Sequence, residues 1–229
     1  MILEYKLILM FSVAFLVIVI YIRGYYPRFF LRDPVRTPPQ RDNVILSPAD
    51  GRISYIRKIK DGGVPVTVKL GQIVPLKEIT QSYQDDIQNG YIVGIIMSFW
   101  DVHIQRAPIS GTVTNQIYIP GGFFDVGFNA KRMLRESERN VLVMKDPVMN
   151  FSTITIQLAA IWVRRIISFV NKGDTLKMGQ RYGYVKFGSQ VDIIIPDLEG
   201  LKFNVEIGQR VHAGDTIIVE YAKSPSGQS

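Results

Sequence analysis

The chain has 229 residues, 47% of them hydrophobic and 21% charged, which is enough apolar material for a folded core and too much for a disordered polymer. It contains no cysteine, which excludes a disulfide framework, a thiolate metal site and thiol nucleophilic catalysis. A formal net charge of +7 favours an anionic partner, either nucleic acid or an acidic membrane surface.

The N-terminus decides between them. Leu7 to Ile22, "LILMFSVAFLVIVIYI", carries no charge. As a helix it spans ~24 Å, slightly under the ~30 Å hydrocarbon core, and snorkelling Lys6 and Arg23 cover the shortfall. The run lacks a small-x-small cleavage site and is followed by "RGYYPRFFLRDPVR", so residues 1–24 read as an uncleaved membrane anchor rather than a signal peptide. Arg23, Arg28, Arg32, Arg36 and Arg41 all follow the apolar run, which places the rest of the chain on the cytoplasmic side of the cell membrane, against the inner leaflet. Tyr25, Tyr26, Phe29 and Phe30 fall at headgroup level, where amphipathic rings are favoured.

Residues 25–42 form a basic, aromatic and then Pro-rich linker ending in "TPPQRD", and the globular domain is expected over 43–222 with a disordered tail at 223–229. Its β-branched runs are short and bounded by Gly, Pro, Asp and Asn: "ILSPADGRISYI", "GYIVGIIMSF", "SGTVTNQIYIP", "NVLVM", "FSTITIQLAAI", "VKFGSQVDIIIP" and "DTIIVEY". The fold class is therefore mostly β with few short helices, behind one N-terminal transmembrane helix. Phe128 to Asn140, "FNAKRMLRESERN", is one of few stretches with helix-forming composition and no breaker. "SPADGRI", "APISGTV" and "GQRVHAGDTIIVEY" share a small polar turn followed by a β run, as in barrel-sandwich domains of the lipoyl and biotinyl type.

Few groups offer acid–base chemistry. The two histidines are His103, between two strand runs in "SFWDVHIQRAPISG", and His212, in a surface turn where a structural or solvated role is expected. Asp50 precedes Gly51 as in an ordinary turn, and Ser189 follows Gly188 in the same way; a serine hydroxyl is inert without a base. Each is weak alone.

In order along the chain, "FFLRDPVRTPP", "LSPADGRI", "MSFWDVHIQRAPISGTV", "IYIPGGFFDV", "ESERN", "GQRYGYVKFGSQVDIIIP" and "GQRVHAGDTI" closely resemble the phosphatidylserine decarboxylase proenzyme family in its short form, which includes archaetidylserine decarboxylases. The resemblance runs from about Phe29 to Val219. It implies self-cleavage between Gly188 and Ser189, giving a β chain ending at 188 and an α chain beginning at 189 with a pyruvoyl cofactor derived from Ser189. That ketone would form a Schiff base with a serine phospholipid and release CO2 and the ethanolamine phospholipid. Glycine before the serine admits the close attack of Oγ on its carbonyl. The resemblance makes His103 the proton donor or orienting group in decarboxylation and Asp50 a participant in self-cleavage. The larger relatives carry a second histidine three residues after the first, where this chain has Arg106. A permanent cation cannot be the base, so Arg106 is expected to bind phosphate or an oxyanion, and either His103 serves both steps or Asp50 acts without a histidine. Phe123 and Phe124, with Phe128, Lys131, Arg132 and Arg135, are candidate lipid contacts.

No metal site is expected, and no nucleic-acid module accompanies the arginines. A homo-oligomer remains compatible with the sequence. The competing reading is a non-enzymatic, membrane-tethered lipoyl-like adaptor, which predicts an uncleaved chain.

Overall fold

The computed structural model describes residues 2–65, 73–81, 87–122, 136–159, 166–185 and 190–223. Helix α1 (Ile2–Ile20) continues in π-helical geometry over Tyr21–Phe30. Leu3–Tyr26 within it is long and apolar enough to cross a membrane, and none of that span is buried by the rest of the chain.

Beyond it the regular structure among the described residues is almost entirely strand: β1 (Val44–Leu46), β2 (Gly51–Ile59), β3 (Gly63–Pro65), β4 (Ile73–Pro75), β5 (Gly90–Ile96), β6 (Ile104–Arg106), β7 (Gly111–Ile119) and β8 (Arg139–Lys145). They continue with β9 (Ser152–Leu158), β10 (Ile166–Ser168), β11 (Thr175–Leu176), β12 (Arg181–Val185), β13 (Gln190–Pro196), β14 (Lys202–Phe203), β15 (Arg210–Val211) and β16 (Ile217–Glu220). One short helix, α2 (Leu76–Thr80), follows β4. A curled sheet of eight strands runs β11-β7-β8-β9-β13-β5-β2-β15, and two three-stranded sheets, β1-β16-β14 and β10-β12-β6, accompany it. The mostly β, barrel-sandwich-like expectation is met. Arg139 and Asn140, read as the end of a helix, instead open β8, where they pair with Leu158 and Gln157 of β9; the tertiary partner overrides local propensity. The rest of that predicted helix before Glu136 lies outside the described residues.

Both faces of the large sheet are buried. Val191, Ile193 and Ile195 of β13 join a core with Ile45, Val93, Ile109, Leu176, Tyr182 and Val219, while Ile194 faces a second core with Val64, Val74, Leu76 and Ile79. This explains why "VDIIIP" is a continuous apolar run interrupted only by Asp192, rather than an alternating one.

The turn similarity seen in the sequence is a structural duplication. Gly51, Ile53 and Ile59 of β2 correspond to Gly111, Val113 and Ile119 of β7, and each strand opens beside a short partner, β15 or β11. Gly208 N donates to Ile53 O as Gly173 N does to Val113 O, and Gly214 N donates to Ser47 O as Gly179 N does to Ala107 O. The halves interlock reciprocally through Leu46 N to Pro108 O and Arg106 N to Pro48 O. The glycine opening each long strand is required by close approach: a Cβ on Gly51 would stand 2.3 Å from Ile96 O, and one on Gly111 2.2 Å from Lys145 O. Asp50-Gly51, read as a turn dipeptide, is thus the entry to a crowded strand.

The segment between the N-terminal helix and the β strands is held down. Asp33 takes Arg106 and Arg181 as ion pairs. Pro38 lies on Gly179, where a Cβ would stand 2.3 Å from its Cγ, and Arg41 reaches Glu220 at 2.9 Å.

Candidate active site

The register of the large sheet aligns four strand ends: Gln190 of β13 lies opposite Ile96 of β5, which lies opposite Arg52 of β2, which lies opposite Arg210 of β15. The antiparallel order brings the residues just before β13, after β5, before β2 and after β15 to one end of the sheet. Those flanking positions include Asp50 and His212, and the connection from β5 to β6 carries Asp101 and His103.

Asp50 is buried and is the hub of this end. Arg36 Nη2 donates to both its oxygens, at 2.8 and 3.1 Å; Ala213 N donates to Oδ1 at 2.8 Å; His212 Nδ1 lies 3.2 Å from Oδ2. Arg36 Nη1 reaches on to Asp215 at 3.0 Å, and Thr37 N donates to the other Asp215 oxygen at 3.1 Å. The duplication separates framework from specialisation. In the sister half Met178 N donates to Ser110 Oγ at 3.0 Å, the counterpart of Ala213 N to Asp50. Capping that turn is the part the two halves share. A carboxylate gripped by a guanidinium and an imidazole is particular to this half.

His212, expected to be structural or solvated, contacts Asp50 through its imidazole, although nearly half the side chain is exposed. The sequence hid this because the two residues are 162 positions apart. Arg36, one of the arginines whose charge orients the N-terminal helix in the sequence reading, is the guanidinium that holds Asp50. The signal that could have found His212 is the internal repeat, which aligns the turns after β15 and β11 and so places His212 and Ala213 beside Asp50, the residue before β2.

His103 is fully buried. Its Nδ1 lies 2.9 Å from the Asp101 carbonyl oxygen, which can only accept, so the neutral ring carries its proton on Nδ1 and its lone pair on Nε2. Burial pushes the imidazole down to about 4, assisted by the Arg32 charge and opposed by the Asp101 contact and the charges of Asp101 and Asp50. It is neutral at pH 7. Asp101 does not present its carboxylate to His103; that group accepts from Ser98 N at 2.7 Å and Ser98 Oγ at 2.6 Å and pairs with Arg210. Burial pulls its pKa upward, but these hydrogen bonds and the Arg210 charge hold it below its ordinary value. The Ser98–Asp101 bracket therefore shapes the loop, and the Asp101 backbone selects the His103 tautomer.

Arg106 is buried and committed to the frame: Nη1 donates to Gly179 O at 3.0 Å, and Nη2 to Asp33 Oδ1 at 2.5 Å and Pro34 O at 3.1 Å. Gly188, Ser189, Phe123 and Phe124 lie outside the described residues, as do Phe128, Lys131, Arg132 and Arg135. The residue after Ser189 is described and tightly held. Gln190 Nε2 donates to Asp192 Oδ1 at 2.6 Å and to Tyr55 Oη at 2.9 Å, while Tyr55 Oη donates to Asp192 Oδ2 at 2.7 Å. Asp192 is fully buried, and burial raises its pKa to about 7 against the lowering pull of Tyr55, Gln190 and Arg57. Among the described residues no cluster of three or more His, Cys, Asp or Glu is arranged to hold a metal ion.

A neutral buried imidazole and a fixed carboxylate at one end of a curled β sheet form a candidate acid–base site. Residues 28–219 match the family model described as phosphatidylserine decarboxylase. The phosphatidylserine decarboxylase proenzyme of Azorhizobium caulinodans is 34% identical over 197 residues, 86% of this chain and 74% of that protein. That of Novosphingobium aromaticivorans is 34% identical over 201 residues (86% and 72%), and that of Nitrobacter winogradskyi 31% identical over 195 residues (85% and 70%). The chain belongs to the phosphatidylserine decarboxylase family and is a carboxy-lyase.

Proposed function

We propose that the chain is a self-processing decarboxylase that cleaves between Gly188 and Ser189, converts Ser189 to a pyruvoyl group and turns a serine phospholipid into the ethanolamine phospholipid and CO2. The observation that carries this reading is the placement of a buried, neutral His103 and a clamped Asp50 at the sheet end from which β13 starts, one residue after Ser189. The residues fit such a group. Gln190, whose backbone nitrogen forms the amide with residue 189, is anchored through its side chain by Asp192 and Tyr55, which fixes where that amide begins. The pyruvoyl group would supply a ketone that condenses with the substrate amine and an adjoining amide that accepts the electron pair released with CO2.

In processing, Ser189 Oγ attacks the Gly188 carbonyl carbon and the C–N bond breaks to leave an ester. Removal of the serine Cα proton then breaks the Cβ–O bond and releases Gly188 as a carboxylate; hydrolysis of the remaining enamine yields ammonia and the ketone. The lone pair on His103 Nε2 makes it the acceptor for the Oγ proton, and the imidazolium so formed can return a proton later, so one histidine serves both steps. Asp50 has its two oxygens engaged by Arg36, Ala213 and His212, and acts as a fixed negative charge steadying that imidazolium. Arg106, bonded to Asp33, Pro34 and Gly179, keeps the segment carrying Arg36 on the domain. α1 anchors the enzyme in the cell membrane, the arginines that follow it set the domain on the cytoplasmic side, and Phe123 and Phe124 contact lipid.

Intact mass and denaturing electrophoresis test the reading. The mature protein should separate into 1–188 and a 189–229 fragment blocked at its N-terminus, and Ser189→Ala should remain one inactive chain. An active wild-type protein that stays a single chain sinks it.

A further inference from the structure

The turn that leads into His103 carries two large aromatics, and both meet the end of the anchor helix. Phe99 stacks on Tyr25 with centroids 5.9 Å apart and planes at 12°, while Trp100 meets Phe29 edge-on at 5.5 Å. Tyr21, Tyr25 and Phe29 stack on one another at 5.6 and 5.0 Å, so a column of rings runs from the helix into the loop. Arg32 closes the joint. It donates to Phe29 O at 2.7 Å and to Trp100 O, and its guanidinium stands 4.4 Å over the Phe29 ring. Despite these contacts Trp100 is 62% exposed.

The depth of this joint follows from the helix. If Leu7–Ile22 is centred in the bilayer, a rise of ~1.5 Å per residue to Ile20 and a shorter one over the π-helical stretch put Tyr25 near the edge of a ~30 Å hydrocarbon core and Phe29 in the headgroup layer. Phe99 and Trp100, in contact with those rings, take the same depths. Exposed Arg23 and Arg28 flank them with positive charge suited to lipid phosphates. Exposed tryptophan at this level is favoured because one part of the indole is apolar and its N–H needs a polar partner.

Resting on the reading of α1 as a membrane anchor, we propose that the Phe99–Trp100 turn is a second membrane contact, seated in the lipid interface beside α1, so that the loop delivering His103 is held at headgroup depth. The partner is the glycerophospholipid interface itself. Its consequence is that a serine headgroup approaches His103 from the side, without the lipid leaving the bilayer. Leaving would expose its acyl chains to water.

The chain has two tryptophans, Trp100 and Trp162, so a Trp162→Phe chain reports on Trp100 alone. It is reconstituted at full length into phosphatidylcholine–phosphatidylglycerol vesicles whose acyl chains are brominated either near the carbonyl or near the methyl end. The expected result is blue-shifted emission, several-fold stronger quenching by the shallow bromines than by the deep ones, and shielding from aqueous iodide. Subtracting a Trp100→Phe chain from the wild type gives the same signal by a second route if Trp162→Phe folds poorly. Iodide quenching without bromine quenching overturns the proposal, and so does shielding from both, which would mean that protein covers the ring. A chain that fails to float with vesicles overturns the anchor reading together with this one. Quenching as expected in a protein without serine phospholipid turnover would leave the docking standing and remove the proposed function.

Discussion

Replacing Asp192 by asparagine should change how stability depends on pH. Asp192 is completely buried on β13, with its oxygens accepting from Gln190 Nε2 and Tyr55 Oη, and burial raises its pKa from 3.8 to about 7. The folded state therefore holds this proton more tightly than the unfolded chain. The associated stabilisation is complete below about pH 4 and is lost as pH rises through about 7. A gap of about three pKa units corresponds to about 4 kcal/mol in all, of which about 3 kcal/mol falls between pH 5 and pH 8. His103 works in the opposite sense: depressed to about 4, it withdraws stability as pH falls from about 6.5 toward 4. That contribution is common to both proteins and cancels in their difference. The assay is urea denaturation in detergent, followed by far-ultraviolet circular dichroism, on a Ser189→Ala background so that every sample is one chain. Relative to Asp192→Asn, the parent should lose about 3 kcal/mol between pH 5 and pH 8. Parallel stability curves for the two proteins would refute the argument that a carboxyl in this position is driven neutral by burial.

Other outcomes follow from the same geometry. Self-processing, measured as the rate of appearance of the small fragment, should be flat from neutral pH to about pH 5 and fall as pH approaches about 4, because protonation removes the His103 lone pair. His103→Gln should abolish processing without unfolding the chain. Arg36→Ala leaves the buried Asp50 charge without its guanidinium and should cost about 3 kcal/mol in denaturation experiments, with processing slowed. Gly94→Ala would place a Cβ 2.5 Å from the Tyr55 ring and 2.8 Å from Ser54 Oγ, and should destabilise by about 2 kcal/mol through overpacking around the Tyr55–Asp192 pair.

Strand positions and the apolar N-terminal helix were readable locally, because period, apolar length and turn residues act within a few residues of chain. "GYIVGII" is β5 and "QVDIIIP" is β13 as patterned, whereas His103 gained a role only through the family resemblance. What its neighbours do was not readable. Asp101 offers His103 its carbonyl and keeps its carboxylate for Ser98 and Arg210, and Arg106 spends its donors on Asp33, Pro34 and Gly179. The helical reading of Arg139 and Asn140 failed for a related reason, since pairing with β9 outweighs the intrinsic preference of "RN".

By itself the sequence determined a β-rich carboxy-lyase of this family behind an apolar helix, since family motifs and hydrophobic patterns survive in one dimension. Only the tertiary structure decided that Asp50 meets His212 and Arg36, that His103 is neutral with its lone pair on Nε2, and that the Phe99–Trp100 turn stacks on the anchor. Those facts depend on which chain ends the antiparallel sheet brings together and on how much water it removes from them. Neither quantity is local to any stretch of residues.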